Sequence, residues 1–113
     1  MLESDRRHAT RVEFREPVQY RFLDSEEMHG SLGYDLSESG VRFQTEDFIP
    51  LRKKLALHLE LDPGQALDLN GQVVWVQLVP HSERYHVGLN FENSDTTKNS
   101  QKVIQEFISS HRI

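Results

Sequence analysis

Two short clusters in this chain carry side chains able to grip a small anion. The first is Arg6-Arg7-His8-Ala9-Thr10-Arg11, which brings three arginines into six residues. A guanidinium offers a planar fork of N–H donors that meets an anionic or carbonyl edge at two points, which the point charge of a lysine cannot do. The second is Asp35-Leu36-Ser37-Glu38-Ser39-Gly40. It combines a carboxylate that accepts, a hydroxyl that donates or accepts, and a glycine that lets the chain turn sharply or lets a ligand approach the backbone.

The elements that must position these clusters are mostly strands. Val12, Phe14, Val18, Tyr20 and Phe22 share one parity, with Glu13, Arg15, Gln19 and Arg21 between them. Period-2 alternation of this kind marks a half-buried strand. Pro17 falls on the polar parity, which predicts an edge or bulged strand. Met28, Leu32, Tyr34 and Leu36 again share a parity, so Asp35 and Ser37 are expected to point off the wall together. Val41 and Phe43 alternate with Arg42 and Gln44, and Leu55, Leu57, Leu59 and Leu61 form the cleanest strand. Pro63-Gly64 supplies a turn. From Leu67 to Val79 apolar residues occupy both parities between Val73 and Val76, as in a strand covered on both faces. Residues 81–84 read as a hairpin loop before Tyr85, Val87, Leu89 and Phe91. Six strands with short connections suggest a closed or nearly closed antiparallel barrel.

Beyond residue 92 the period changes. Val103, Ile104, Phe107 and Ile108 recur at helical spacing, with Asn93 to Thr97 offering N-caps, so one amphipathic helix is expected over about residues 96–111. The 113 residues fit one domain. We divide it into a flexible arm, residues 1–11, and a barrel with its helix, residues 12–113.

Charge narrows the functions open to such a domain. Thirteen basic residues stand against eighteen acidic ones, a net −5, which speaks against DNA or RNA as a bulk partner. The imbalance is local: residues 1–23 hold five arginines and four acids, so an anion can find a site at the N-terminal end. The absence of cysteine excludes disulfides, thiolate metal sites and thiol nucleophiles. No stretch has the apolar length of a transmembrane helix, and a soluble, cytoplasmic protein is expected.

The order and spacing of the two clusters resemble a known family. Arg7-x-x-x-Arg11 followed by Asp35-x-Ser37-x-x-Gly40 is similar to the paired motifs of PilZ domains, RxxxR and [D/N]xSxxG. Gly71-Gln72-Val73-Val74-Trp75-Val76 and Val87-Gly88-Leu89-Asn90-Phe91 look like that family's late hairpin. The resemblance implies an all-β, six-stranded PilZ-type barrel with a C-terminal helix. It also implies a receptor for cyclic di-GMP, with no enzymatic activity, no cofactor and no metal. Arg7, Arg11, Asp35, Ser37 and Gly40 would carry the site. Arg6 either stacks on a guanine, favouring a self-stacked pair of ligand molecules, or is solvated. An unidentified downstream protein in motility or biofilm regulation is implied, with the receptor a monomer or a ligand-influenced dimer. The alternative is a PilZ-like interaction adaptor that works without nucleotide.

Other residues support blander readings. Trp75 shares parity with Leu67, Leu69 and Val73 and reads as core, although it could stack on a guanine. Arg42 reads as a solvated strand residue within reach of a phosphate. The six histidines lack metal-ligand spacing, and no nucleophile–base order or phosphate-binding glycine loop supports an enzyme.

Overall fold

The computed structural model describes residues 11–62, 64–92 and 98–111. Alternation becomes strand wherever one face can be buried. The strands are β1 (Val12–Glu13), β2 (Pro17–Phe22), β3 (His29–Leu36), β4 (Gly40–Thr45), β5 (Lys54–Asp62), β6 (Gln65–Leu78) and β7 (Tyr85–Phe91). They are followed by one helix, α1 (Lys98–His111). Every pairing is antiparallel, in the cyclic order β3-β2-β5-β6-β7-β4, and β3 pairs with β4 to close the ring. The result is a closed six-stranded barrel with β1 as a short extra strand, which leaves few exposed edges.

The first strand breaks at residues 14–16, and Pro17 opens its second half opposite Leu32. The break is bridged by Phe14 N–H donating to the Tyr34 carbonyl at 3.1 Å and Gly33 N–H to the Glu16 carbonyl at 2.8 Å. Both halves therefore run along the same edge of β3, with Val12 opposite Leu36 and Val18 opposite Ser31.

The barrel interior holds Val18, Tyr20, Leu36, Val41, Phe43, Leu55, Leu57, Leu59, Val73, Val87 and Leu89. Helix α1 turns Ile104, Phe107 and Ile108 onto the barrel, with Val103 partly covered. Phe107 meets Phe14 edge to face, centroids 5.8 Å apart. The expected caps at residues 93–97 and Pro63 of the expected turn lie outside the described residues.

Two expectations of parity fail at bulges. In β3 the register to β4 shifts between Gly33 and Asp35, so Tyr34 is an extra residue. Gly33, not Leu32, then faces Phe43, and Met28 and Leu32 stand about half exposed on the outside. In β6 the register to β7 shifts between Val73 and Trp75, and Val74 is the extra residue, 44% exposed. Val76 now faces Val87 in the interior, and Trp75 faces outward rather than into the core. One inserted residue flips every later side chain to the other face. The mixed parity at 73–76 thus marks a bulge and not a strand covered on both sides.

Candidate functional site

The chain between β3 and β4 closes as a four-residue turn. Ser37 N–H donates to the Gly40 carbonyl at 2.9 Å, and the Ser39 N–H reaches Ser37 Oγ at 3.3 Å. Ser37 is fully buried, its hydroxyl set among the Gly40 carbonyl and Ser39 Oγ. It therefore builds the turn instead of projecting beside Asp35. Gly40 lacks a positive φ, so a sharp turn is not what requires glycine there. The requirement is close approach: a Cβ at residue 40 would run into the Leu89 carbonyl of β7.

That turn sets the register of the outer face. Leu36 pairs with Val41 and Asp35 with Arg42. The neighbouring pairs extend the row, with Glu13 of β1 opposite Asp35, Gly88 of β7 opposite Arg42, and Trp75 of β6 opposite Gly88. Trp75 lies across Gly88, where any side chain would strike the indole. At about 4.8 Å per strand, Trp75 and Arg42 stand about 10 Å apart along this row.

Within this row Asp35 is held by two guanidinium groups. Arg11 Nη1 donates to Asp35 Oδ1 at 2.9 Å. Arg42 donates from Nε to the same oxygen at 2.8 Å and from Nη2 to Oδ2, a two-point bond. The Asp35 side chain is 11% exposed, against 40% for Arg11 and 33% for Arg42. Hydrogen bonding to Asp35 raises the Arg42 pKa further above its ordinary value, against a smaller opposing effect of burial. Two cations on one anion leave the triad a net charge of +1.

The bulged residue Tyr34 builds the neighbouring surface. Arg42 and Arg15 each place Cζ 5.0 Å from the Tyr34 ring centroid, within cation–π range. His86 lies 5.0 Å from the same ring and shares a hydrogen bond with Gln44 at 3.3 Å. The outer face thus offers arginine forks and aromatic surface together, as recognition of a planar anionic ligand requires. Among the described residues, no cluster of three or more His, Asp or Glu is arranged to hold a metal.

Of the residues expected to form the site, the structure brings Arg11 and Asp35 together, places Ser37 in the turn, and gives Gly40 a packing role. Arg6 and Arg7 lie outside the described residues. Arg42 is not a free solvated residue, and a signal for its pairing exists in the sequence. A four-residue turn over 37–40 makes 35 and 42 direct cross-strand neighbours, where opposite charges attract. Trp75 offers no comparable signal, because its outward direction follows from the bulge at Val74.

The family model for the PilZ domain matches residues 5–110. The chain belongs to the PilZ domain family. No curated protein matches this PilZ domain significantly in sequence. Its fold is shared with the Bacillus subtilis inhibitor of motility MotI/DgrA, at TM-score 0.77 and 19% identity, covering 90% of this chain and 49% of that one. It is shared also with the PilZ domain of YcgR from Escherichia coli, solved with c-di-GMP, at TM-score 0.72 and 15% identity over 94% and 91% of the two chains. Borreliella burgdorferi PlzA, solved in complex with c-di-GMP, aligns at TM-score 0.68 and 14% identity over 95% and 43%. This PilZ domain therefore spans about half the length of MotI/DgrA and less than half of PlzA.

Proposed function

We propose that this PilZ domain is a non-enzymatic receptor for cyclic di-GMP. The observation that carries the reading is the Arg11–Asp35 contact, which joins the two motifs at one place on the barrel wall. Cyclic di-GMP presents two phosphates and two guanines. An arginine fork can take the O6 and N7 acceptors of a guanine or two oxygens of a phosphate. Asp35 accepts three donors from Arg11 and Arg42, which supports its role as a clamp that orients arginines for the ligand. Trp75, turned outward beside Arg42, supplies a face on which a base can stack. The solved complexes of the YcgR domain and PlzA support the choice of ligand.

Arg6, Arg7 and Arg11 would converge on the nucleotide as residues 1–11 fold over Asp35 and the 37–40 turn. The covered face would then present a new surface to a downstream protein, an order-forming switch of the kind ligands drive elsewhere. Regulation of motility or biofilm formation from the cytoplasm fits such a receptor. Hydrogen bonds to charged groups are worth about 1.5–3 kcal/mol each. Three or four of them plus base stacking, less the cost of ordering the arm, leave about 8 kcal/mol, or micromolar affinity. Calorimetric titration with cyclic di-GMP tests the proposal. Binding near one micromolar that falls in Arg7→Ala supports it, with two ligands per chain expected if Arg6 stacks on a self-stacked pair. No binding by the wild type, or an Arg7→Ala variant equal to it, overturns it.

A further inference from the structure

Arg42 belongs to neither motif, yet it is tightly constrained on the outer face. Its guanidinium edge meets both Asp35 oxygens, and its Cζ stands over the Tyr34 ring, 5.0 Å from the centroid. Its backbone is paired on both sides, to Asp35 of β3 and Gly88 of β7. Arg11 precedes β1 by one residue and meets Asp35 through a single Nη1 contact, on the oxygen that Arg42 Nε also holds.

We infer that Arg42 is a positioning residue, which fixes the Asp35 carboxylate from the rigid side of the barrel so that Oδ1 holds Arg11 in its binding orientation. The inference rests on the cyclic di-GMP reading. The terminal torsion of an aspartate is broad, so a carboxylate held at one point still swings. A fork bonded to both oxygens fixes its plane, and the Tyr34 ring in turn fixes the fork. The β3 bulge makes this possible by placing Tyr34 and Asp35 on the same side of the sheet. A lysine at position 42 would keep the charge and lose the two-point hold.

The test is titration of cyclic di-GMP into wild type, Arg42→Gln, Arg42→Lys, Asp35→Asn and the double variant Asp35→Asn/Arg42→Gln, each with a thermal unfolding curve. Arg42→Gln and Arg42→Lys are each expected to weaken binding about three- to tenfold, with lysine failing to rescue. In the Asp35→Asn background, Arg42→Gln should change affinity by less than about twofold, because the residue through which it acts is already disabled. Wild-type affinity in Arg42→Lys would overturn the inference in favour of a simple charge effect. Full multiplication of the two losses would overturn it in favour of direct contact between Arg42 and the ligand. If the Arg42 variants unfold, Tyr34→Leu decides: weaker binding supports the inference and unchanged binding overturns it. A wild type that does not bind removes the receptor reading and this inference together, whereas a binding wild type with multiplicative losses removes the inference alone.

Discussion

Asp35 takes three charge-assisted hydrogen bonds while almost covered, so its neighbours decide what it can do. Removing Arg11 should cost ligand affinity and little else, since its side chain is 40% exposed. Arg11→Ala is expected to weaken cyclic di-GMP binding about ten- to a hundredfold by calorimetry, with the unliganded melting temperature nearly unchanged. His58 shows the same physics away from the site. Hydrogen bonding to Asp68 at 2.9 Å and, less closely, to Glu60 raises its pKa above 6.5, against the opposing effect of burial. A raised folded pKa means that this stabilisation is complete below the unfolded value and fades as the pH climbs through the folded one. Urea unfolding should therefore show His58→Gln less stable by about 0.5 kcal/mol at pH 5.5, the scale of a solvent-screened pair, and equal to wild type at pH 9.

At the scale of elements, the 37–40 turn and the two bulges position everything on the outer face. The turn tolerates little change at Gly40, because the Leu89 carbonyl occupies the space a side chain would need. Gly40→Ala should destabilise the fold by about 2 kcal/mol or more, through displaced β4–β7 pairing, and loss of binding would follow from the moved strand. Denaturant unfolding measured alongside ligand titration separates the two effects. Helix α1 is held by Ile104, Ile108 and the edge-to-face contact of Phe107 with Phe14. Phe107→Ala should cost about 3–5 kcal/mol, and amide exchange would show α1 losing protection before the barrel strands.

The whole molecule is an acidic barrel that gathers Arg11, Asp35 and Arg42 on one wall. A ligand that binds only the folded state at a hundred times its dissociation constant adds about 2.7 kcal/mol of stability. For a domain of this size that raises the melting temperature by on the order of 10 °C. Cyclic di-GMP should produce this shift in wild type and lose it in Arg7→Ala/Arg11→Ala, measured by thermal unfolding. The barrel and its helix are legible in the chain because they follow from local periodicity, whereas Arg42 reads there as a solvated residue and its pairing with Asp35 emerges only once the turn is known to span four residues. Ser37 is harder to read, since parity predicts an outward hydroxyl and the turn's own hydrogen bonds draw it in. Tyr34 and Trp75 are not legible in this way. Alternation counts residues along one strand, whereas a bulge is a mismatch between two paired strands, here β3 with β4 and β6 with β7, which the parity of a single strand does not show. One extra residue in β3 and one in β6 turn a tyrosine and a tryptophan from expected core to outer wall. The residue types able to grip an anion were thus written in the chain, while the bulged pairing of strands within the barrel chose the aromatic surfaces on the same wall.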